Sequence, residues 1–67
     1  MKRIWIYWFT ANGFKMEVMI EGTEEEFRAY IETEFPFAQG GRYSGATEKE
    51  VEHHRALNLP IYLAPTL

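Results

Sequence analysis

The sequence predicts a two-layer α+β domain, in which an N-terminal antiparallel β-hairpin and a short C-terminal strand pack against one or two helices in the order β-β-α-α-β. Three observations predict it: a strand-like apolar run before Asn12-Gly13, two helix starts with capping-box residues, and a short apolar segment after Pro60. With 67 residues, the chain has room for one domain, residues 1–67.

The hairpin is predicted by two segments of different pattern. Residues 3–10 are almost all β-branched or aromatic, and residues 14–21 alternate between apolar and polar side chains. Asn12-Gly13 lies between them and tolerates the positive φ angles of a two-residue turn. The alternation predicts that one face of the second strand is buried, with four side chains pointing inward: Phe14, Met16, Val18 and Ile20.

The sequence leaves two registers open for this hairpin. A two-residue turn puts Trp5, Tyr7 and Phe9 on the same face as the inward side chains of the second strand. A three-residue turn puts residues 4, 6 and 8 there instead. The turn residues favour the first register and the matching of aliphatic side chains favours the second, so both are retained.

Capping boxes predict where two helices begin. Thr23 with Glu26 starts the first helix, which is expected to end near residue 34 because the residue before a proline avoids the helical region. Thr47 with Glu50 starts a second helix over about residues 48–57. Residues 60–63 then predict a short final strand, with a proline at its start.

The first strand is apolar on both faces, which is more than helices on one side of a sheet can cover. An uncovered apolar stripe normally marks a contact surface. We therefore expect a homodimer or higher homo-oligomer, or another protein, to bind this aromatic hairpin face. The alternative is that the segment carrying Phe35 and Phe37 folds over it. The expected contact residues are Trp5, Tyr7, Trp8, Phe9 and Met19.

The charge of the chain points to a protein partner rather than to nucleic acid. Ten acidic residues, all glutamate, outnumber seven basic ones and give a net charge of −3. This balance disfavours direct binding to a phosphate backbone. Three consecutive glutamates, Glu24, Glu25 and Glu26, are expected to face a partner with a basic surface.

Residues 35–46 contain one proline and three glycines and therefore predict a loop. Glycines, an arginine and free amides before a helix can hold a phosphate. An alternative function is thus a small oligomeric binder of a phosphorylated or nucleotide-like ligand. Ala46 occupies the place of the lysine that a P-loop needs, so an NTPase is excluded. The residues of this alternative site are Gly40, Gly41, Arg42, Tyr43 and Ser44.

Other kinds of site find little support in the sequence. Glu50, His53 and His54 share one helix, but the chain has no cysteine, aspartate or further histidine to complete a metal site. The same shortage leaves no catalytic triad, so we expect neither an enzyme nor a cofactor. The longest strand-like apolar run, residues 4–9, is too short to span a membrane. We therefore expect no membrane contact and a cytoplasmic location.

These observations favour a non-enzymatic, small acidic protein-interaction module that uses an aromatic hairpin face and a glutamate-rich surface. Inhibitors and adaptors are typical functions of such small proteins. Phage or mobile-element proteins that block host defence or nucleic-acid-handling proteins are one example. This last expectation comes from protein size and charge, and no motif carries it.

Overall fold

A four-stranded sheet and two helices make up the computed structural model, which describes all residues, 1–67. The predicted α+β class, with its N-terminal hairpin and short C-terminal strand, is confirmed. The sheet order is β3-β1-β2-β4, with β4 parallel to β2 and the other neighbours antiparallel. The elements are β1 Arg3–Ala11, β2 Phe14–Gly22, α1 Glu24–Glu34, β3 Gln39–Gly45, α2 Glu48–Ala56 and β4 Ile61–Leu63.

The hairpin adopts the register of the two-residue turn. Asn12 and Gly13 have φ angles of 52° and 82°, which suit an Asn-Gly turn matching the twist of the strands. Phe9 consequently pairs with Met16, and Tyr7 with Val18. The turn residues therefore outweigh the matching of aliphatic side chains, and the odd-numbered aromatic residues of β1 share one face of the sheet.

The prediction of a loop over residues 35–46 is wrong for most of that segment, because residues 39–45 form edge strand β3 beside β1. Gly40, with φ of 62°, lies at a bulge where the register shifts between Trp8 and Thr10. Gly41 is required by packing, because a Cβ atom there would lie 2.7 Å from a ring carbon of Tyr7. These glycines thus serve a strand that lies close against its neighbours.

The two helices lie on opposite faces of the sheet, whereas the sequence predicted a single helical layer. Phe27 of α1 packs with Tyr7, Phe9 and Ile20 in one hydrophobic cluster. On the other face, Val51 of α2 packs with Ile6 and Met19. Each apolar face of β1 therefore has a helix of its own, which explains why this strand is apolar on both sides.

Both predicted capping boxes are confirmed, and the first also holds the C-terminal tail. The carboxylate of Glu26 accepts hydrogen bonds from the backbone N–H of Thr23 at 2.9 Å and of Leu67 at 3.3 Å. The hydrogen bond from Thr23 is the main reason why the pKa of Glu26 lies below its ordinary value of 4.5. Glu26 is a buried residue, so this carboxylate has a structural role.

We expect acidification to destabilise the protein partly through Glu26. Its pKa is lower in the folded state, so its contribution is fully present above pH 4.5 and is lost as the pH falls through the folded-state value. Melting temperatures measured between pH 7 and pH 3 check this. Glu26→Gln should be less stable than the parent near pH 7, and the gap should narrow below pH 4.5. Glu25→Gln, at an exposed neighbour, is the control, and a gap independent of pH would contradict the assignment.

Candidate interaction surface

Three apolar side chains stand exposed at the turn end of the hairpin, on the face that α1 covers elsewhere. Phe14 is 71% exposed, Met16 43% and Phe37 57%. We call these three residues the tip patch. Isolated exposed apolar residues are common on proteins, but a group of large ones around a shared neighbour is not. The tip patch is therefore a candidate binding surface.

The strands and the segment after α1 bring the tip patch together around Phe9. Met16 is paired with Phe9 across the hairpin, and Phe14 is paired with Ala11 one step further along the same face. The ring of Phe37 lies 6.1 Å from that of Phe9. Phe9 itself is buried. The patch thus has a rigid base, since the buried ring fixes the positions from which the exposed side chains project.

The length of α1 explains why the tip patch is left uncovered. An 11-residue helix is about 16 Å long, whereas nine-residue strands extend about 30 Å. The helix starts at the open end of the hairpin and ends at Glu34, before the turn. Sequence analysis placed Phe14 and Met16 on the inward face, which is the correct face. It missed their exposure, although comparing the two lengths could have revealed it.

The C-terminal end of α1 forms an acidic rim that precedes the segment carrying Phe37. The last turn of this helix contains Glu32 and Glu34 and no basic residue, and the helix C-terminus adds partial negative charge. Glu34 is directly followed by Phe35, whose ring lies 5.9 Å from that of Phe37. A partner that buries the tip patch therefore meets negative charge at this side, which favours a basic surface around its own binding site.

The glutamates chosen from the sequence lie at the other end of the same helix. Glu24 accepts a hydrogen bond from the hydroxyl of Tyr43 at 2.6 Å, and Glu25 is exposed in the first turn. Placing Glu26 on a partner-binding surface was wrong, because it is buried by the capping box and the C-terminal tail. The glutamate triplet and the tip patch are thus separated by the length of α1, about 16 Å.

The predicted exposed stripe along β1 is also wrong. Tyr7 is 7% exposed, Phe9 5% and Met19 2%, because α1 and α2 each cover one face. Trp5 is half-buried and donates a hydrogen bond from its indole nitrogen to the carbonyl oxygen of Gly22 at 3.0 Å. Burial inside one chain leaves Tyr7, Phe9 and Met19 unable to contact a partner without unfolding.

Trp8, like Trp5, is half-buried and keeps part of its ring accessible. Its indole nitrogen donates a hydrogen bond to the carboxylate of Glu17 at 2.8 Å. Arg42 is its neighbour on β3, and Lys15 lines the same shallow cleft of about 190 Å³. The loop on which the phosphate-binding alternative depends is nevertheless absent, because its glycine-rich segment is a strand paired with β1.

The remaining residues of that alternative site have structural neighbours. Tyr43 lies against the ring of Phe27 at 4.8 Å and donates its hydroxyl hydrogen to Glu24. That hydrogen bond raises the pKa of Tyr43 above its ordinary value, so the phenol stays protonated near neutral pH and is not a base. Ser44 is exposed on the opposite face of β3 from Tyr43.

The glutamate and histidines of α2 line a groove on the face of the sheet that α2 covers, but two of the three are already engaged. Glu50 accepts a hydrogen bond from the N–H of Thr47 at 2.9 Å, and Nε2 of His54 lies 2.8 Å from the carbonyl oxygen of Pro60. No group of three or more His, Cys, Asp or Glu side chains is placed to hold a metal ion. This groove of about 360 Å³ therefore presents one exposed imidazole, that of His53.

Neither helix has the length and apolar character that crossing a membrane would require. Comparison with protein-family models, with curated proteins and with solved structures finds no match for this chain.

Proposed function

We propose that this chain is a non-enzymatic, cytoplasmic protein-interaction module that binds a partner protein through the tip patch. The observation that carries the proposal is the exposure of Phe14 and Phe37 beside a buried aromatic base. The aromatic hairpin is thus still the binding element, as the sequence predicts, but the contact is at its turn end and not along its length. Exposed apolar patches on small domains are typical of such contact surfaces.

The physical case rests on how binding energy concentrates in interfaces. A few aromatic side chains near the centre of an interface carry most of its energy, provided that they enter pockets on the partner and lose their water. Phe14 and Phe37 are suited to this role because their bases are held by strand pairing and by packing on Phe9, so little ordering is needed on binding. The acidic rim at Glu32 and Glu34 favours encounter with a basic partner.

An inhibitor or adaptor is the kind of protein that this surface serves best. The domain presents an apolar end at the turn of a paired hairpin. Such an end can occupy a functional pocket of another protein or join two proteins. A phage or mobile-element protein that blocks a host protein is one example of this class, chosen on size and net charge.

Replacing both tip phenylalanines tests the proposal. Phe14→Ser with Phe37→Ser should weaken partner binding by at least about 30-fold, because hot-spot side chains contribute about 2 kcal/mol or more. A partner captured from the native host by the parent protein is purified, and its dissociation constant for each variant is measured by calorimetry. The association rate of the parent should also fall as salt is added, since the acidic rim steers the encounter.

Leu63→Ser is the matched control, because Leu63 is equally exposed but lies at the opposite end of the sheet. It should bind like the parent protein. Circular dichroism must show that the double variant is folded. A captured partner with the same affinity for the double variant as for the parent would overturn the proposed contact surface.

A further inference from the structure

The outer edge of β3 is an open strand edge on one side of the sheet. The other edge, β4, is only three residues long and lies between Pro60 and Pro65, so it offers little backbone for pairing. β3 has seven residues and no proline, and five of its residues are exposed. Natural proteins usually protect a long edge strand, because its unpaired N–H and C=O groups can pair with another strand.

The hydrogen-bond pattern identifies which residues of β3 point outward. The N–H of Ala46 donates to the carbonyl oxygen of Ile4 at 2.8 Å, and Ser44 and Arg42 follow at two-residue steps in the same register. Residues that bond a given neighbour alternate in an antiparallel ladder, so Ser44 and Arg42 direct their backbone groups toward β1. The backbone N–H and C=O of Tyr43 therefore point away from the sheet.

Gly41 and Gly45 share the outward direction of Tyr43 by the same alternation. Side chains of the neighbouring strand β1 fill the space above these glycines: Tyr7 lies over Gly41, and Arg3 lies over Gly45. The edge thus presents a row of outward-facing backbone groups at alternate residues, without bulky side chains of its own at two of them. This geometry leaves room for a further strand.

We propose that β3 pairs antiparallel with β3 of a second copy of this chain, centred on Tyr43. In this arrangement each Tyr43 exchanges two backbone hydrogen bonds with its counterpart, and Gly41 of each copy does the same with Gly45 of the other. The result is one continuous eight-stranded sheet with both copies of α1 on one face and both copies of α2 on the other.

Charge favours this register over one centred on Arg42. Centring on Tyr43 places Arg42 opposite Ser44 of the second copy, at a position where cross-strand side chains approach closely. Shifting the pairing so that Arg42 is the centre would place the two guanidinium groups opposite each other, which is unfavourable. Of these two registers, only the one centred on Tyr43 avoids a like-charge contact at the twofold axis.

This dimer is independent of the proposed function, because it uses the side edge of the sheet and leaves the tip patch free. The two are tested by different variants. Tip-patch substitutions should leave the dimer intact, and substitutions on β3 should leave the affinity of the tip patch unchanged. Failure of one therefore does not imply failure of the other.

Opposite charge changes at Ser44 give the first test. Ser44→Glu places a carboxylate opposite Arg42 of the second copy, and the twofold dimer contains two such pairs. The dissociation constant of the dimer should therefore fall about two- to thirty-fold, whereas Ser44→Arg should raise it by a similar factor. Sedimentation equilibrium gives the dissociation constants, and circular dichroism checks folding. Because Ser44 is exposed, both variants should fold. A parent protein that is monomeric at every concentration up to about 1 mM, or equal constants for the two variants, would overturn the proposal.

Cysteine cross-linking tests the register itself, and the absence of native cysteine removes any background. When the Arg42→Cys and Ser44→Cys chains are combined and oxidised glutathione is added, one chain of each kind should become linked by a disulfide. This is expected because directly opposite strand residues are within disulfide reach. Either chain alone should cross-link more slowly, since its cysteines are then diagonal and about 7–8 Å apart. Cross-linking that is no faster in the mixture would overturn the register centred on Tyr43.

Discussion

Phe27→Ala is expected to abolish stable folding. Phe27 is fully buried, and its ring lies 4.8 Å from that of Tyr43 and 5.7 Å from that of Trp5. Removing a buried phenylalanine costs about 3–5 kcal/mol, as both transfer energy and the cavity contribute. A single small core supplies about 3–5 kcal/mol of net stability, so the loss equals most or all of it. Urea denaturation followed by far-UV circular dichroism measures the change.

Phe14→Ala is the control for this experiment, because it removes the same side chain from the most exposed position of the tip patch. Its free energy of unfolding should change by no more than about 0.5 kcal/mol. Equal losses for the two variants would show that the core is not centred on α1. A small change in the free energy of unfolding for Phe14→Ala would also support the proposed function, since a side chain that contributes little to stability is available for binding.

The local parts of the fold were predictable because they depend on short-range chemistry. Asn12-Gly13 determines the turn by tolerating positive φ angles, and this in turn determines the hairpin register. Thr23 and Thr47 determine the helix starts through side-chain hydrogen bonds to residues three positions later. In each case the structure depends on residues within a few positions of one another, so the pattern is visible in the sequence.

The placement of α2 was not predictable in the same way, because it depends on a contact distant in sequence. Val51 is the one buried apolar residue of this helix, and its partners are Ile6 and Met19. The clue was present in the two apolar faces of β1, which require cover on both sides. An exposed stripe was expected instead, since both helices were placed on one side of the sheet.

The candidate site was predictable in its chemistry but not in its location. An aromatic hairpin and an acidic helix follow from the sequence. The hairpin supplies Phe14 and Met16 of the tip patch, and the segment after the helix supplies Phe37. Where these residues meet depends on where α1 ends relative to the turn. The relevant quantity is the difference in rise per residue between helix and strand, and no local pattern expresses it.

The glycines of β3 were misread because composition does not distinguish flexibility from close packing. Glycine at 40 supplies a positive φ angle, as glycines in loops do. Gly41 has no such requirement and instead makes room for the ring of Tyr7, which is itself stacked on Phe9 at 5.0 Å. In the sequence, a glycine that makes room for a neighbouring side chain looks the same as a glycine that adopts a positive φ angle.

Gly41→Ala is therefore expected to destabilise the protein by about 1–3 kcal/mol, the usual cost of overpacking. The new methyl group would meet the Tyr7 ring, and this buried ring cannot move without disturbing Phe9 and Phe27. The loss should exceed the gain of about 0.4–1 kcal/mol that replacing glycine brings by restricting the unfolded chain. Thermal and urea unfolding measure the difference from the parent protein.

Gly45→Ala is the matched control, on the same strand and facing the same side of the sheet. The atoms nearest to a methyl group there belong to the guanidinium of Arg3, an exposed and flexible side chain that can move aside. Moving Arg3 loses a cation–π contact with the ring of Trp5 worth about 0.5–1 kcal/mol. Replacing glycine by alanine also restricts the unfolded chain, and this stabilises the folded state by a similar amount. Gly45→Ala should thus be nearly neutral. If Gly41→Ala were equally neutral, β3 would not lie against Tyr7, and residues 39–45 would behave as the loop that their composition suggests.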